Sequence, residues 1–221
     1  MLKVNDIRNQ LLEKYQNNDF VIDKSGSKLI EIVGASFEVD EPIIFGEENK
    51  DYIEREIKWY MSMSLNVNDI PGETPKIWKS VADPDGLINS NYGWCILSED
   101  NHTQFRKVVA TLKEHRESRQ AIMIYTRPTM HEDSKKNGMK DFMCTNAVQY
   151  IIRDNVLYSI VQMRSNDVVF GFKNDFAWQT HVSKMVAHQL GCPVRKIIWQ
   201  VGSLHLYERH FNLLENEKVG A

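Results

Sequence analysis

The sequence predicts an α+β domain built on a large mixed β-sheet flanked by helices. Strand patterns and helical patterns are interleaved without a strict strand–helix–strand repeat, which argues against a purely parallel sheet. Two strand patterns, at 146–153 and 156–163, are separated only by Asp154 and Asn155, a pair typical of a hairpin turn. No internal repeat, low-complexity tract or linker divides the 221 residues, so we expect a single domain covering 1–221.

The first half of the chain predicts two helices, one strand and a long loop. Apolar residues recur at helical spacing over 5–16 and again over 47–62. Residues 28–39 alternate as a strand does, and Gly34 interrupts them, which indicates a bulge or bend. Residues 66–93 are rich in Asn, Asp, Pro and Gly, and a connection of that length is typical of a functional loop or lid.

The second half predicts two more helices and four strands. The helical patterns lie at 101–117 and 175–190, and the strand patterns lie at 121–125, 146–153, 156–163 and 197–201. The apolar run at 121–125 is short enough to be a buried strand. Gly191 and Pro193 follow the last helical pattern, where they are expected to end the helix.

The composition excludes several classes of protein. Lys plus Arg number 27 against 30 Asp plus Glu, so the net charge of −3 gives no general attraction to nucleic acids or membranes. The N-terminus carries scattered charges instead of the apolar run of a signal peptide, and no run of about 18 apolar residues predicts a membrane span. We therefore expect a cytoplasmic protein that needs neither a membrane nor a nucleic-acid partner.

The three cysteines, Cys95, Cys144 and Cys192, form no C-x-x-C pair and suggest no disulfide framework. Cys144 stands just before one strand of the predicted hairpin, and Arg164 stands at the end of the other, so the hairpin can bring the arginine beside the sulfur. A guanidinium in that place favours thiolate over thiol, as a nucleophilic cysteine requires. On spacing alone, a plain core cysteine remains the commoner interpretation.

The segment 142–178 contains a longer pattern around this cysteine. Gln149 follows Cys144 by five residues, R-S-N-D occupies 164–167, and Gly171 comes four residues after the Asp. In this register the chain resembles the superfamily of thymidylate synthases and deoxycytidylate hydroxymethylases, and the similarity extends over about residues 18–211. The segments GETPKIW, IMIYTRP, RSNDVVFGF and GSLHLYERH resemble the hydroxymethylase branch in particular.

The resemblance implies a synthase-like fold and a nucleotide reaction. In the superfamily the cysteine, here Cys144, adds to C6 of the pyrimidine, and C5 then takes a one-carbon unit from 5,10-methylenetetrahydrofolate. Hydroxymethylases add water to the resulting methylene group and use the folate only as a carbon donor, so the expected product from dCMP is 5-hydroxymethyl-dCMP. Three alternatives stay open: action on dUMP or CMP, methylation as in a synthase, and a catalytically silent nucleotide- or RNA-binding relative.

Two further catalytic residues follow from the resemblance. Glu56 matches the family glutamate that orders water and shuttles protons, which is general acid–base work for a carboxylate. Without the resemblance, a solvated charge on a helix face beside Glu54 and Arg55 is the preferred interpretation. Tyr92, in the segment INSNYGW, joins the expected catalytic set.

The resemblance also implies how the nucleotide is held. Lys24, Arg119, Arg164 and Ser165 match a phosphate clamp, in which arginine suits bidentate contact and lysine acts as a point charge. In the family the arginine at the Arg119 position comes from the second subunit, which implies a homodimer with shared active sites. Gln120 replaces the second arginine of the usual pair. The remaining expected substrate contacts are Gln149 and Asp167, together with His205 and Tyr207 for the 3′-hydroxyl of the sugar.

The expected folate side consists of Ile77, Trp78, Asp167, Gly171 and Phe172. The chain ends eleven residues after His210, so we expect the C-terminal segment that closes over the folate in the family to be shortened or rebuilt. We expect no metal, because His181 and His188 have no third ligand at metal-like spacing.

Asp175 is expected to select the base. The synthases carry an asparagine at this position, whose amide can donate to O4 of uracil and accept from N3–H. Cytosine presents an N4 amine and an N3 that gains a proton during attack, so a carboxylate fits it better. The alternative role of Asp175 is an N-cap for the helix predicted at 175–190.

Overall fold

A computed structural model of the protein describes residues 1–217, with side chains to Glu215; the last residues of the expected closing segment, 218–221, lie outside this description. The strands are β1 (Leu2–Lys3), β2 (Val21–Ile22), β3 (Lys28–Glu38), β4 (Ile122–Ile124), β5 (Thr145–Arg153), β6 (Val156–Asp167) and β7 (Val194–Tyr207). The helices are α1 (Val4–Gln16), α2 (Lys50–Ser62), α3 (Lys76–Val81), α4 (Tyr92–Leu97), α5 (Gln104–Glu114), α6 (Met130–Asp133), α7 (Gly171–Leu190) and α8 (Asn212–Glu217).

The strands form a single mixed sheet in the order β1-β3-β7-β6-β5-β4, and β2 pairs with β3. Antiparallel pairs join β3 to β7 and β5 to β6, whereas β6 and β7 are parallel and are connected through α7. The hairpin between β5 and β6 turns at Asp154 and Asn155, both with positive φ (49° and 60°), as the sequence predicts. The α+β class with a large mixed sheet is confirmed.

One face of the sheet carries the core. Helices α1, α5 and α7 pack on this sheet, and α2 and α4 pack against each other. The largest side chains in the shared core are fully buried tryptophans, Trp59, Trp178 and Trp199. On the opposite face of the sheet, Ile160 and Ile198 are half-buried and Gln200 is exposed within the described residues 1–217. That one described core supports the single domain predicted for 1–221, which stays a prediction.

A bend in β3 occurs where the sequence predicts one. Gly34 has a φ of +72°, and the inward-facing alternation shifts there, since Ile32 and Ala35 are buried while Val33 is 78% exposed. The ladder to β7 keeps its register through this point, so the feature is a bend with no extra residue inserted. The bend turns the end of β3 relative to the rest of the sheet.

Two predicted elements have different bounds for identifiable physical reasons. The helix predicted at 175–190, α7, begins at Gly171. The Asp167 carboxylate accepts hydrogen bonds from the backbone N–H groups of Val169 (2.6 Å) and Phe170 (3.0 Å), and these bonds turn the chain into the helix early. The last strand extends over Val194–Tyr207 and not only over 197–201, since Gly202 breaks the apolar alternation without ending the ladder.

The strand predicted at 121–125 is confirmed as β4, and Ala121, Met123 and Tyr125 are buried, but the other face of the strand is not. The strand β4 is the last of the sheet and pairs only with β5, so Ile122 and Ile124 remain 38% and 51% exposed. The loop predicted at 66–93 contains the short helix α3 and runs directly into α4. No helix within residues 1–217 is both long and apolar enough to cross a membrane.

Candidate active site

Cys144 and Arg164 lie side by side at one end of the β5–β6 hairpin. Cys144 immediately precedes β5, and the backbone N–H of Arg164 donates to its carbonyl at 2.9 Å. The guanidinium of Arg164 donates to the carbonyls of Met143 and Phe142, both at 2.8 Å, and its Nη2 lies 3.6 Å from the Cys144 Sγ. The fold therefore brings the cation beside the sulfur, as the spacing in the sequence predicts.

Burial nevertheless raises the pKa of the Cys144 thiol to about 11. Arg164 lowers this pKa, as a cation beside a sulfur does, but Asp175 and Asp141 oppose it and burial dominates. Arg164 therefore favours the thiolate, as the sequence predicts, but its effect on the pKa is smaller than that of burial. Near neutral pH the sulfur is a protonated thiol, and its proton has to be removed during the attack on an electrophile.

Glu56 is a buried carboxyl in the middle of α2. It is 5% exposed, whereas Glu54 on the same helix is exposed, so the interpretation as a solvated surface charge is wrong. Its Oε1 accepts a short hydrogen bond from the Tyr52 hydroxyl and another from the Trp78 Nε1 at 3.2 Å. Burial raises the pKa of Glu56 to about 7, and the bonds from Tyr52 and Trp78 oppose that rise. The carboxyl can therefore exchange a proton near neutral pH.

This raised pKa predicts a pH-dependent loss of stability. In an unfolded chain a glutamate releases its proton at about pH 4.3, whereas folded Glu56 retains it up to about pH 7. The unfolded state then binds fewer protons, so the free energy of unfolding falls as the pH rises from about 4.3 through 7. In Glu56→Gln this fall should be smaller when urea unfolding is measured from pH 5 to 8. Glu54→Gln, on the exposed face of α2, is the matched control and should follow the wild type.

Asp175 lies inside α7, five residues along the helix, so the N-cap interpretation is wrong; the N-cap position belongs to Phe170. Its Oδ2 accepts a hydrogen bond from the Asn166 Nδ2 at 2.8 Å. Burial raises the pKa of Asp175 to about 8, the charge of Glu56 adds to the rise, and hydrogen bonds from Asn166 and Tyr92 oppose it. Near neutral pH this carboxyl carries a proton.

Tyr92 connects these groups. It begins α4 directly after the cap residue Asn91, and it stacks on Tyr60 with ring centroids 5.2 Å apart. Burial raises the pKa of the Tyr92 hydroxyl well above its usual value, and Asp175 and Cys144 add to that rise. Because Asp175 acts on the pKa of both Tyr92 and Cys144, and Glu56 acts on that of Asp175, the four predicted catalytic residues lie near one another. Glu56 and Tyr92 are buried, and Cys144 and Asp175 are half-buried.

The residues predicted for the sugar lie at the adjacent ends of β6 and β7. Asp167 pairs with His205 across the parallel ladder, and the rings of His205 and Tyr207 meet edge to face at 5.0 Å between centroids. Arg209, which sequence reasoning missed, lies with its guanidinium 4.3 Å from the Tyr207 ring centroid and 3.7 Å from the Asp167 Oδ2. Only its position in the segment GSLHLYERH could have drawn attention to it.

The predicted phosphate residues differ in their surroundings. Lys24 is exposed in the turn between β2 and β3, Arg119 is exposed after α5, and Ser165 is half-buried next to Arg164. The Gln149 side chain donates from Nε2 to the backbone carbonyl of Arg119 at 2.8 Å. In the described structure Gln149 therefore holds the backbone of the segment that carries Arg119. The direct contact of Gln149 with the substrate stays a prediction.

The predicted folate residues are only partly where a ligand could reach them. Ile77 is 64% exposed, and Trp78 is half-buried, with its indole N–H donating to the Tyr52 hydroxyl at 2.9 Å and to the Glu56 Oε1 at 3.2 Å. Phe172 is fully buried in the aromatic core, so its assignment to the folate surface is wrong. The exposed aromatic next to Gly171 is Phe170, at 53% exposure, which the sequence reasoning missed.

The two histidines of α7 take different environments. His181 stacks on Trp178 at 6.0 Å between ring centroids, and burial lowers its pKa, whereas His188 is exposed. Among the residues that the structure describes, no group of three or more His, Cys, Asp or Glu side chains is arranged to hold a metal ion.

Comparisons with known proteins agree with this geometry. The family model for thymidylate synthase matches residues 48–219. The deoxycytidylate 5-hydroxymethyltransferases of Enterobacteria phages T6 and T4 are each 55% identical to this chain over 222 residues, covering 97% of the chain and 90% of the relative. A thymidylate synthase of Fusobacterium nucleatum subsp. nucleatum is 28% identical over 163 residues, 72% of this chain and 58% of that protein. The resemblance seen in the sequence is confirmed, and the chain belongs to the thymidylate synthase family.

Proposed function

We propose that this protein is a deoxycytidylate 5-hydroxymethyltransferase, which transfers a one-carbon unit from 5,10-methylenetetrahydrofolate to C5 of dCMP and adds water to give 5-hydroxymethyl-dCMP. The observation that carries the proposal is the cluster in which the Cys144 Sγ lies 3.6 Å from the Arg164 Nη2 and the charge of Asp175 raises the pKa of the thiol. The phage relatives at 55% identity carry the same name.

Cys144 is the proposed nucleophile. Its thiol gives its proton to water as the sulfur attacks C6 of the base, and electron density moves through C5 and C4 to N3. Asp175, protonated near neutral pH, supplies a proton to N3 as that charge develops. Before the attack, the Cys144 thiol, the Asp175 carboxyl and the base are all uncharged. Charge develops only as the bond between the sulfur and C6 forms.

Glu56 is the proposed acid–base group for the later steps. Its pKa of about 7 allows it to take a proton from water and to return one near neutral pH. Tyr52 and Trp78 both donate to its Oε1, so the other oxygen is the one free to face water or substrate. Addition of water to the methylene group attached to C5 is the step that separates a hydroxymethyltransferase from a synthase, and we assign water activation to Glu56.

The nucleotide phosphate is proposed to bind Arg164, Ser165 and Lys24 together with Arg119 from a second copy of the chain. On the sheet face opposite the core, Ile160 and Ile198 are half-buried and Gln200 is exposed. That face and the exposed Arg119 side chain support a homodimer with shared active sites. Gln120 supplies no charge where a second arginine is usual, so the phosphate relies more on Arg164. His205 and Tyr207, beside Asp167, are proposed to bind the 3′-hydroxyl of the sugar.

The folate is proposed to lie along Ile77, Trp78, Gly171 and the exposed ring of Phe170. Two exposed apolar side chains, Ile77 and Phe170, fit the flat rings of a folate. Ile77 is next to Trp78, which donates to Glu56, and Phe170 is next to Gly171, which lies close to Asp175. When bound, 5,10-methylenetetrahydrofolate supplies the carbon that becomes the hydroxymethyl group. Phe170 takes the place that the sequence assigned to Phe172.

The test is an incubation with dCMP carrying tritium at C5, together with methylenetetrahydrofolate. We expect release of tritium and formation of 5-hydroxymethyl-dCMP, with no dihydrofolate. Dihydrofolate formed in step with product would identify a synthase instead. Nucleotide binding with no tritium release from any pyrimidine nucleotide would identify a silent relative and contradict the proposal.

A further inference from the structure

A chain of two hydrogen bonds runs from the core face of the sheet to Asp175, the carboxyl that is proposed to bind the base. The indole Nε1 of Trp199, on the core face of β7, donates to the Oδ1 of Asn166 at 3.2 Å. The Nδ2 of Asn166 in turn donates to the Oδ2 of Asp175 at 2.8 Å. Trp199 is fully buried and Asn166 is 3% exposed, so water does not compete for these bonds.

The direction of this chain is fixed by chemistry. An indole nitrogen can only donate, so the atom of Asn166 that faces Trp199 must be the amide oxygen. The NH₂ group of Asn166 is then forced to face Asp175 and to donate to its Oδ2. Gly171 leaves room for this arrangement, since a Cβ there would lie 3.1 Å from the Asn166 Nδ2 and 3.7 Å from the Asp175 Oδ2. Phe176 packs against Trp199 and holds the indole in place.

The direction matters because a neutral carboxyl has two unlike oxygens. One carries the proton and donates, and the other accepts. Cytosine offers an acceptor at N3 and a donor at N4, whereas uracil offers a donor at N3 and an acceptor at O4. A protonated carboxyl can therefore pair with either base, and the oxygen that carries the proton decides which base it pairs with. Asp175 is in this neutral form near neutral pH.

We propose that Trp199 and Asn166 are positioning residues that make Asp175 select cytosine, because the Asn166 amide keeps Oδ2 as the accepting oxygen and leaves the proton on Oδ1. This inference rests on the proposed function and explains how its base specificity arises. The Cys144 thiol gives its proton to water as its Sγ bonds to C6, the C5=C6 pair moves to C4–C5, and the C4=N3 pair moves to N3. N3 takes the proton of Oδ1, and Asp175 is left as a carboxylate that Asn166 continues to stabilise.

The proposal is tested by the preference for dCMP over dUMP in binding. Dissociation constants of both nucleotides are measured by calorimetry at pH 7 for the wild type, Trp199→Phe and Asn166→Ala. Trp199→Phe removes the donor that orients the amide, and Asn166→Ala removes the amide. We expect the ratio of the dUMP to the dCMP dissociation constant to fall by about 10-fold in each variant, the scale of one mispaired buried hydrogen bond.

Phe176→Leu is the matched control, because it loosens the packing around Trp199 without removing either hydrogen bond. It should keep the wild-type ratio even if both nucleotides bind more weakly. A ratio unchanged in Trp199→Phe and Asn166→Ala, with a wild type that prefers dCMP, would overturn this proposal and leave the proposed function intact. A wild type that does not prefer dCMP would contradict both.

Discussion

Cys144→Ser is expected to lower the turnover of dCMP by about four to six orders of magnitude, which is the usual effect of removing the covalent nucleophile of an enzyme. A serine hydroxyl ionises far less readily than a thiol, and burial, which already raises the pKa of Cys144 to about 11, makes an alkoxide still less accessible. Because Arg164 is held by the carbonyls of Phe142 and Met143, its position does not depend on the sulfur. The affinity for dCMP, measured by calorimetry, should therefore change little.

Cys192→Ser provides the control for the same chemical change. Cys192 is also a free thiol, buried where Cys144 is half-buried, but it lies after the C-terminal end of α7, at the opposite end of that helix from Asp175. Tritium release from this variant should match the wild type. Turnover that survives in Cys144→Ser would rule out the covalent mechanism, whatever the behaviour of Cys192→Ser.

Asp175→Asn is expected to remove turnover of dCMP without creating turnover of dUMP. An asparagine amide has no proton to give to N3 of cytosine as negative charge develops there. Because the Asn166 amide donates to the position of Oδ2, the oxygen of the new amide must face Asn166, and its NH₂ group then faces N3, where it mismatches N3–H of uracil. Tritium release from 5-labelled dCMP should fall by up to about 10⁴-fold, the scale of a lost general acid, and release from 5-labelled dUMP should appear only when Asn166→Ala is added.

This variant also removes a buried carboxyl whose pKa is raised to about 8. Its urea-unfolding curve at pH 7 should show a folded protein at least as stable as the wild type, since no charge has to be buried at higher pH. A folded variant that releases tritium from 5-labelled dUMP would mean that Asn166 does not fix the direction of the 175 side chain.

The sequence was sufficient for elements whose pattern is local. The hairpin followed from Asp154 and Asn155, and the bend in β3 followed from Gly34, because a positive φ is a property of those residues themselves. The early start of α7 was not predictable in the same way, since it depends on the Asp167 side chain binding two backbone N–H groups. The exposure of β4 depends on its place at the sheet edge, which only the assembled topology decides.

The candidate site shows the same division. The hairpin register indicated that Arg164 would reach Cys144, but the sign of the thiol's pKa shift depends on how much burial surrounds it, and burial is set by segments far apart in sequence. Phe172 and Phe170 are two residues apart, and only the packed helix shows which of them is solvent-exposed. The contact between Trp199 and Asn166 joins residues 33 positions apart and leaves no local signature.

The neutral state of the Cys144 thiol has a consequence for the durability of the protein. Peroxides and alkylating agents react with thiolates, and a thiol with a pKa of about 11 offers them very little of that form. Many nucleophilic cysteines are ionised at rest and are therefore the first residues damaged under oxidative conditions. We therefore expect the proposed nucleophile of this chain to react slowly with oxidants between turnovers, because burial keeps Cys144 in the thiol form.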